Sequence, residues 1–114
     1  VARIRIDDGR GVLCERCVLA TSMWLRTRGL LGRSGLAPDE GLWIQPTSSI
    51  HMFFMRFPID VVWAGSDGCV LKLVENLGVW RISGCRGAKV AIELPVGAIR
   101  RSGVRVGDHL VIER

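Results

Sequence analysis

The sequence has no tyrosine, only two lysines (Lys72 and Lys89), and no long apolar run. Its longest apolar stretches, such as residues 59–63 interrupted by Asp60, fall far short of the roughly 20 residues that cross a bilayer as a helix. No charged start leads into an apolar segment and a small-residue cleavage site, so no export signal is legible and the compartment stays open. Internal repeats, low-complexity tracts and long linkers are also missing. With lysine so scarce, the net charge of +5 rests almost wholly on arginine. Such a balance attracts acidic or phosphate-bearing partners without naming one. Nucleic acid is disfavoured as a partner, because there is no zinc-finger spacing and no aromatic RNA-binding signature.

What is present fits a globular chain. At 114 residues, 48% apolar and 24% charged, the composition excludes disorder and predicts one β-rich domain over residues 1–114. A chain of this length buries roughly two-thirds of its unfolded surface, enough for a core without a metal or disulfide.

Turn residues are spread evenly, which favours many short elements. Ala2, Ile4 and Ile6 alternate with Arg3 and Arg5 as a half-buried strand requires, Asp7-Asp8-Gly9 turns the chain, and residues 11–19 return as a hairpin partner. Thr21 or Ser22 can cap a short helix over residues 23–28, which Gly29 and Gly32 end. Residues 42–44 and 50–54 read as strands, and Asp67-Gly68 joins strands 59–64 and 69–75 in a hairpin. In residues 89–94, Val90, Ile92 and Leu94 are expected inward and Lys89 and Glu93 outward. Pro95 stops that strand, residues 96–102 make a helical turn or two capped by Gly103, and Gly107-Asp108 leads into a closing strand at 110–113. The expected fold is mainly β: a small closed or nearly closed barrel or sandwich of seven to eight short strands with two short helices.

A family resemblance follows from the order of the motifs. Arg28-Gly29-Leu30-Leu31-Gly32-Arg33, Glu40-Gly41-Leu42, Ser49-Ile50-His51 and Met55-Arg56-Phe57-Pro58-Ile59-Asp60-Val61-Val62 stand in succession. Asp67-Gly68 with Val70, Val79-Trp80-Arg81, Cys85-Arg86-Gly87-Ala88, Leu94-Pro95-Val96-Gly97 and Val106-Gly107-Asp108 complete the series. From about Thr21 to Ile112 the chain resembles the uncharacterised bacterial and archaeal family known as domain of unknown function 192. That resemblance implies a small β-barrel-like fold with short helices and no established activity. Two departures stand out: Met52-Phe53-Phe54 follows His51 where the family often has a threonine and a glycine, and the Val79-Trp80 segment lacks the usual proline.

Four constellations could carry chemistry. The first is His51 with Arg56 and Asp60, next to Met55. An aspartate inside so apolar a run must be paired or hydrogen-bonded, by an arginine or by backbone amides near the Phe57-Pro58 bend. The sharper alternative makes His51 a base oriented by Asp60, but no nucleophile or Gly-x-Ser-x-Gly elbow completes the set. The second is the set Cys14, Cys17, Cys69 and Cys85. Cys14-Glu15-Arg16-Cys17 has a metal-type gap, yet it lies in a strand, where residues three apart face opposite ways about 10 Å apart, too far for a disulfide. The expectation is no metal site and cysteines used as apolar filling. The third is arginine, with Arg26, Arg28 and Arg33 near the first helix and Arg100, Arg101 and Arg105 near the second. Converging, they would bind an anion; apart, they form a solvated face. The fourth is the run His51-Met52-Phe53-Phe54-Met55, apolar on both strand faces, so that one face needs a cover, a ligand or a partner.

These readings favour a non-enzymatic binding module over an enzyme. His51, Met55, Arg56 and Asp60, with Arg28 and Arg33, would rim an apolar cleft for an anionic or amphipathic small ligand or a protein partner. No cofactor and no catalytic residue is assigned. The alternative is a hydrolase- or lyase-type enzyme using His51 and Asp60.

Overall fold

The structure, a computed structural model, describes residues 1–21, 30 and 32–114. Among them are nine strands and one short helix: β1 (Ala2–Ile6), β2 (Val12–Ala20), β3 (Glu40–Ile44), β4 (Ser49–His51), β5 (Ile59–Ala64), β6 (Val70–Leu77), β7 (Ile82–Gly84), β8 (Val90–Leu94), α1 (Ala98–Ser102) and β9 (Leu110–Glu113). Seven strands form one sheet in the order β6, β5, β8, β3, β2, β1, β9, and β4 pairs with β7 in a second, two-stranded sheet. Every pairing is antiparallel except β2 with β3.

The mainly β expectation holds, but its detail needs correcting. The large sheet is not closed into a barrel. A single bridge between Cys69 and His109, flanked by Val70 N–H donating to Asp108 O (2.8 Å) and Leu110 N–H to Gly68 O (3.0 Å), ties the starts of the outer strands β6 and β9. Gly107 N–H also donates to Val70 O (2.9 Å), but β6 and β9 do not pair along their lengths, so the edges are protected by other means: β9 is four residues long, and β6 carries exposed Lys72 and Glu75. The helix expected over residues 23–28 lies outside the described residues. The second helix forms at Ala98–Ser102 and ends at Gly103, whose φ of 75° suits a residue without Cβ.

The two buried faces of the sheet explain most of the packing. One face carries Ile4, Ile6, Cys14, Cys17, Trp43, Val62, Ile92 and Leu94 against Ala98 and Ile99 of α1. The opposite face carries Leu42, Ile44, Ile59, Val61, Trp63 and Ala91, covered by Met52, Ala88 and half-buried Leu36, Met55 and Phe57. Trp63 Nε1 donates to Ser83 Oγ (3.1 Å), which fastens the small sheet to this second face.

This arrangement overturns the outward placement of Glu93. Strand β8 lies between β5 and β3 and is buried along its whole length, so alternation there separates two buried faces rather than core from solvent. The strand expected at residues 50–54 is also shorter. It stops at His51, because Met55 N–H donates back to Met52 O (3.3 Å) and Phe54 takes a left-handed φ of 65°.

The cysteine geometry differs from the strand argument as well. Ala2 pairs with Cys17 and Ile4 with Cys14, so three residues of β2 span the length of two on β1. This bulge brings Cys14 and Cys17 to the same inner face, both buried, with Glu15 and Arg16 outside. A hydrogen bond from Cys17 lowers the pKa of Cys14, while that bond and burial push Cys17 up. Gly41 on β3 makes room for them, since a Cβ there would lie 2.8 Å from Cys14 Sγ.

Candidate functional site

Asp60 organises the region where the signature segments meet. It is fully buried and faces the α1 side of the sheet. Its Oδ1 accepts from Asn76 N–H (2.9 Å), and its Oδ2 accepts from Gly97 N–H (3.1 Å) and Ile99 N–H (3.0 Å). The expectation that backbone amides satisfy this carboxylate is met, although they come from the start of α1 and the end of β6 rather than from the Phe57-Pro58 bend. A carboxylate so placed neutralises the free N–H groups that open a helix and fixes the turn at residues 95–97 beside Pro58.

That turn forms one wall of an apolar cleft of about 410 Å³, lined by Leu36, Phe57, Pro58, Pro95, Val96 and Arg101 among others. The Arg101 guanidinium is the cation on this lining, and it also borders two neighbouring clefts, one over Asp60 and one beside Cys14. Its Nη1 donates to Pro38 O (3.3 Å), and among the described residues it has no carboxylate partner. The nearby acids are engaged elsewhere: Asp39 by Arg16 at 2.6 Å, and Glu75 loosely by Arg100 at 3.9 Å.

The sequence-derived residues are scattered around this cleft. Phe57 and Pro58 line it, but His51 is exposed on β4 and stacks on Phe53, with ring centroids 4.9 Å apart. The small sheet of His51 covers the face opposite Asp60, so the two side chains do not meet. Met55 is half-buried against the second core, and Arg56 is exposed. Arg33 is occupied by Glu40, its Nη2 donating to Oε1 (2.9 Å) and Oε2 (3.1 Å). Ala37 N–H and this guanidinium together lower the Glu40 pKa. Arg26 and Arg28 lie outside the described residues; among the described arginines, Arg101 is the one on this cleft.

Two features escaped the sequence reading. Glu93 is 6% exposed on the second face, opposite Leu42 and Val61, with no hydrogen bond to its carboxyl from the described residues, and burial raises its pKa to about 7. Its place in an alternating run hid it. The wall formed by Pro95 and Val96 was visible only as part of the Leu94-Pro95-Val96-Gly97 motif. Among the described residues, no three His, Cys, Asp or Glu side chains converge on a common point.

A two-faced β-sheet with the short helix α1 at its margin, and a cleft built where its signature segments touch, defines the class. The chain belongs to the DUF192 family, described as Uncharacterized ACR, whose model matches residues 4–112. A UPF0127 protein of Thermococcus sibiricus is 35% identical over 104 residues, covering 83% of this chain and 64% of that protein. The chain thus spans less than two-thirds of that relative's length. Among solved structures, a Sinorhizobium meliloti 1021 protein described as a "putative transcription regulator" superposes with a TM-score of 0.82 at 27% identity, over 97% of this chain and 92% of that one. A protein of unknown function from Novosphingobium aromaticivorans DSM 12444 superposes with a TM-score of 0.81 at 23% identity, over 96% of this chain and 82% of that one, which is a likeness of fold.

Proposed function

We propose that this chain is a single-domain, non-enzymatic binding module whose cleft between Phe57-Pro58 and Pro95-Val96 takes an anionic amphiphile. One observation carries the reading. Two motifs far apart in sequence form the walls of one apolar cleft, with an arginine at its rim that no carboxylate neutralises. The apolar walls suit a hydrocarbon or aromatic body, and the guanidinium fork suits a carboxylate or phosphate head. Asp60 is a positioning residue that holds the Pro95–Val96 wall through Gly97 and Ile99. The enzyme alternative finds no support, because His51 and Asp60 serve opposite faces of the sheet.

Decanoate and decanol, titrated below their aggregation thresholds and followed by amide chemical shifts, test this reading. Decanoate is expected to shift the amides of Leu36, Val96 and Gly97 and to bind about tenfold more tightly than decanol, the worth of a charge-assisted hydrogen bond. Arg101→Gln should remove that tenfold preference and leave decanol binding unchanged. Shifts located elsewhere, or equal affinities for the two probes, would overturn it.

A further inference from the structure

A second surface lies apart from the cleft. The small sheet continues past its last pair, with Met52 N–H donating to Arg81 O (2.7 Å) and Trp80 N–H to Met52 O (2.9 Å). Met52 is buried there and anchors the two turns that flank it. Their tips hold aromatic rings outward: Phe54 is 73% exposed and Trp80 58%. Phe53 meets Trp80 at 5.7 Å between centroids, and Phe54 meets it edge-on at 4.9 Å. Ile82, also exposed, extends the apolar patch.

Two properties set this patch apart from ordinary exposed side chains. Phe54 and Trp80 both sit at a φ of 65°, a left-handed conformation that bulky residues rarely adopt and that glycine would take without strain. The fold therefore bears a conformational cost to hold two large rings in solvent, the pattern expected where exposure has a use. The patch is also cationic. Arg56 and Arg81 on the same turns and Arg86 just beyond β7 are exposed, and none has a carboxylate partner among the described residues. Away from the patch, Arg101 is likewise without a carboxylate among the described residues, whereas Arg3, Arg5, Arg10, Arg16 and Arg33 all engage acids.

We propose that the Phe54–Trp80 patch, with Arg56 and Arg81, seats the protein on an anionic lipid bilayer surface. The clefts at Arg101 do not include these residues, and the patch presents its rings outward from the tips of two turns. Tryptophan and phenylalanine partition into the headgroup boundary, and flanking guanidinium groups attract anionic headgroups. An acidic partner protein would need a complementary hollow; a bilayer yields to fit rings of any shape.

Co-sedimentation of the whole chain with vesicles tests the proposal. Vesicles of phosphatidylcholine mixed with phosphatidylglycerol should carry the protein down, and vesicles of phosphatidylcholine alone should carry little. Phe54→Ala with Trp80→Ala should lower the partition coefficient at least about tenfold, and Arg56→Gln or Arg81→Gln about fivefold each at low salt. All four side chains are exposed, and unchanged melting temperatures would establish that the variants fold. Decanoate binding at the cleft should be unchanged in Phe54→Ala with Trp80→Ala, neither of which lines it, so failure here is separable from failure of the cleft reading. Equal sedimentation on both kinds of vesicle, none on either, or no effect of the double aromatic variant would overturn the proposal; the last two would leave a protein partner to be sought.

Discussion

Each face of the large sheet buries one carboxylate, and the two are treated differently. On the α1 face, Asp60 is met by backbone N–H groups from Asn76, Gly97 and Ile99, so its burial becomes a joint between β5, β6 and α1. On the other face, Glu93 lies opposite Leu42 and Val61, and none of the described residues meets its charge. Burial by itself therefore says little about what a carboxylate does. A partnered one fixes geometry, whereas a lone one stores a penalty whenever it ionises.

The sharpest way to break this comparison is to remove the partnered carboxylate. Asp60→Ala empties a buried site and leaves the N–H groups of Asn76, Gly97 and buried Ile99 without their acceptor, and we expect a loss of about 3–5 kcal/mol in urea unfolding. Asp60→Asn keeps one acceptor oxygen and should lose clearly less. Equal losses would mean that the charge, and not the hydrogen-bond geometry, holds α1 in place.

Glu93 should show its effect as pH dependence. Its folded pKa of about 7 lies above the ordinary 4.5 of the unfolded chain, so the native state holds the proton more tightly. Stability is thus greatest below pH 4.5 on this account, falls as the pH rises toward 7, and levels off above it. At about 1.4 kcal/mol per tenfold in proton affinity, the loss is about 3 kcal/mol. The carboxylates of Asp8, Asp39, Glu40 and Glu113, whose pKa values are lowered, act in the opposite sense, losing stability as pH falls. The difference between wild type and Glu93→Gln isolates the Glu93 contribution. It should fall by about that amount from pH 4.5 to 8, and a flat difference would mean that Glu93 finds a partner or water in solution.

Two smaller changes probe a close contact on the α1 face and the exposed turn beyond the small sheet. Gly41→Ala, on the α1 face, forces a methyl against Cys14 Sγ at 2.8 Å and Leu94 Cδ2 at 2.9 Å, and should cost about 1–3 kcal/mol in thermal unfolding. Phe54→Gly, at the margin of the second face, should leave stability unchanged or raise it by up to about 1 kcal/mol by relieving the left-handed strain. The same substitution should reduce vesicle binding. One face would then lose stability when its shape is altered, and the other would gain stability while losing an interaction.

Local patterns in the chain carried much of this fold. Alternation at Ala2, Ile4 and Ile6, the Asp67-Gly68 hairpin, the stop at Pro95, the Gly103 cap and the closing strand all appear where the residues indicate, because each depends on neighbours within a few positions. The order of the motifs was enough to identify the family. The candidate site was legible only in part: the apolar run shows that Asp60 needs an arginine or backbone amides as partners, but His51 and Arg56 are grouped with it through nearness in sequence alone.

Tertiary structure decided the rest, because those features depend on what lies across a strand or beneath a sheet. Period-two alternation cannot tell one buried face from two, so Glu93 read as a surface residue until β3 and β5 closed on either side of β8. A bulge is defined by its partner strand, which is why Cys14 and Cys17 share a face that their spacing denied them. The cleft walls come from segments more than thirty residues apart in the printed sequence, joined through Asp60 and the start of α1, and only a folded chain places them side by side.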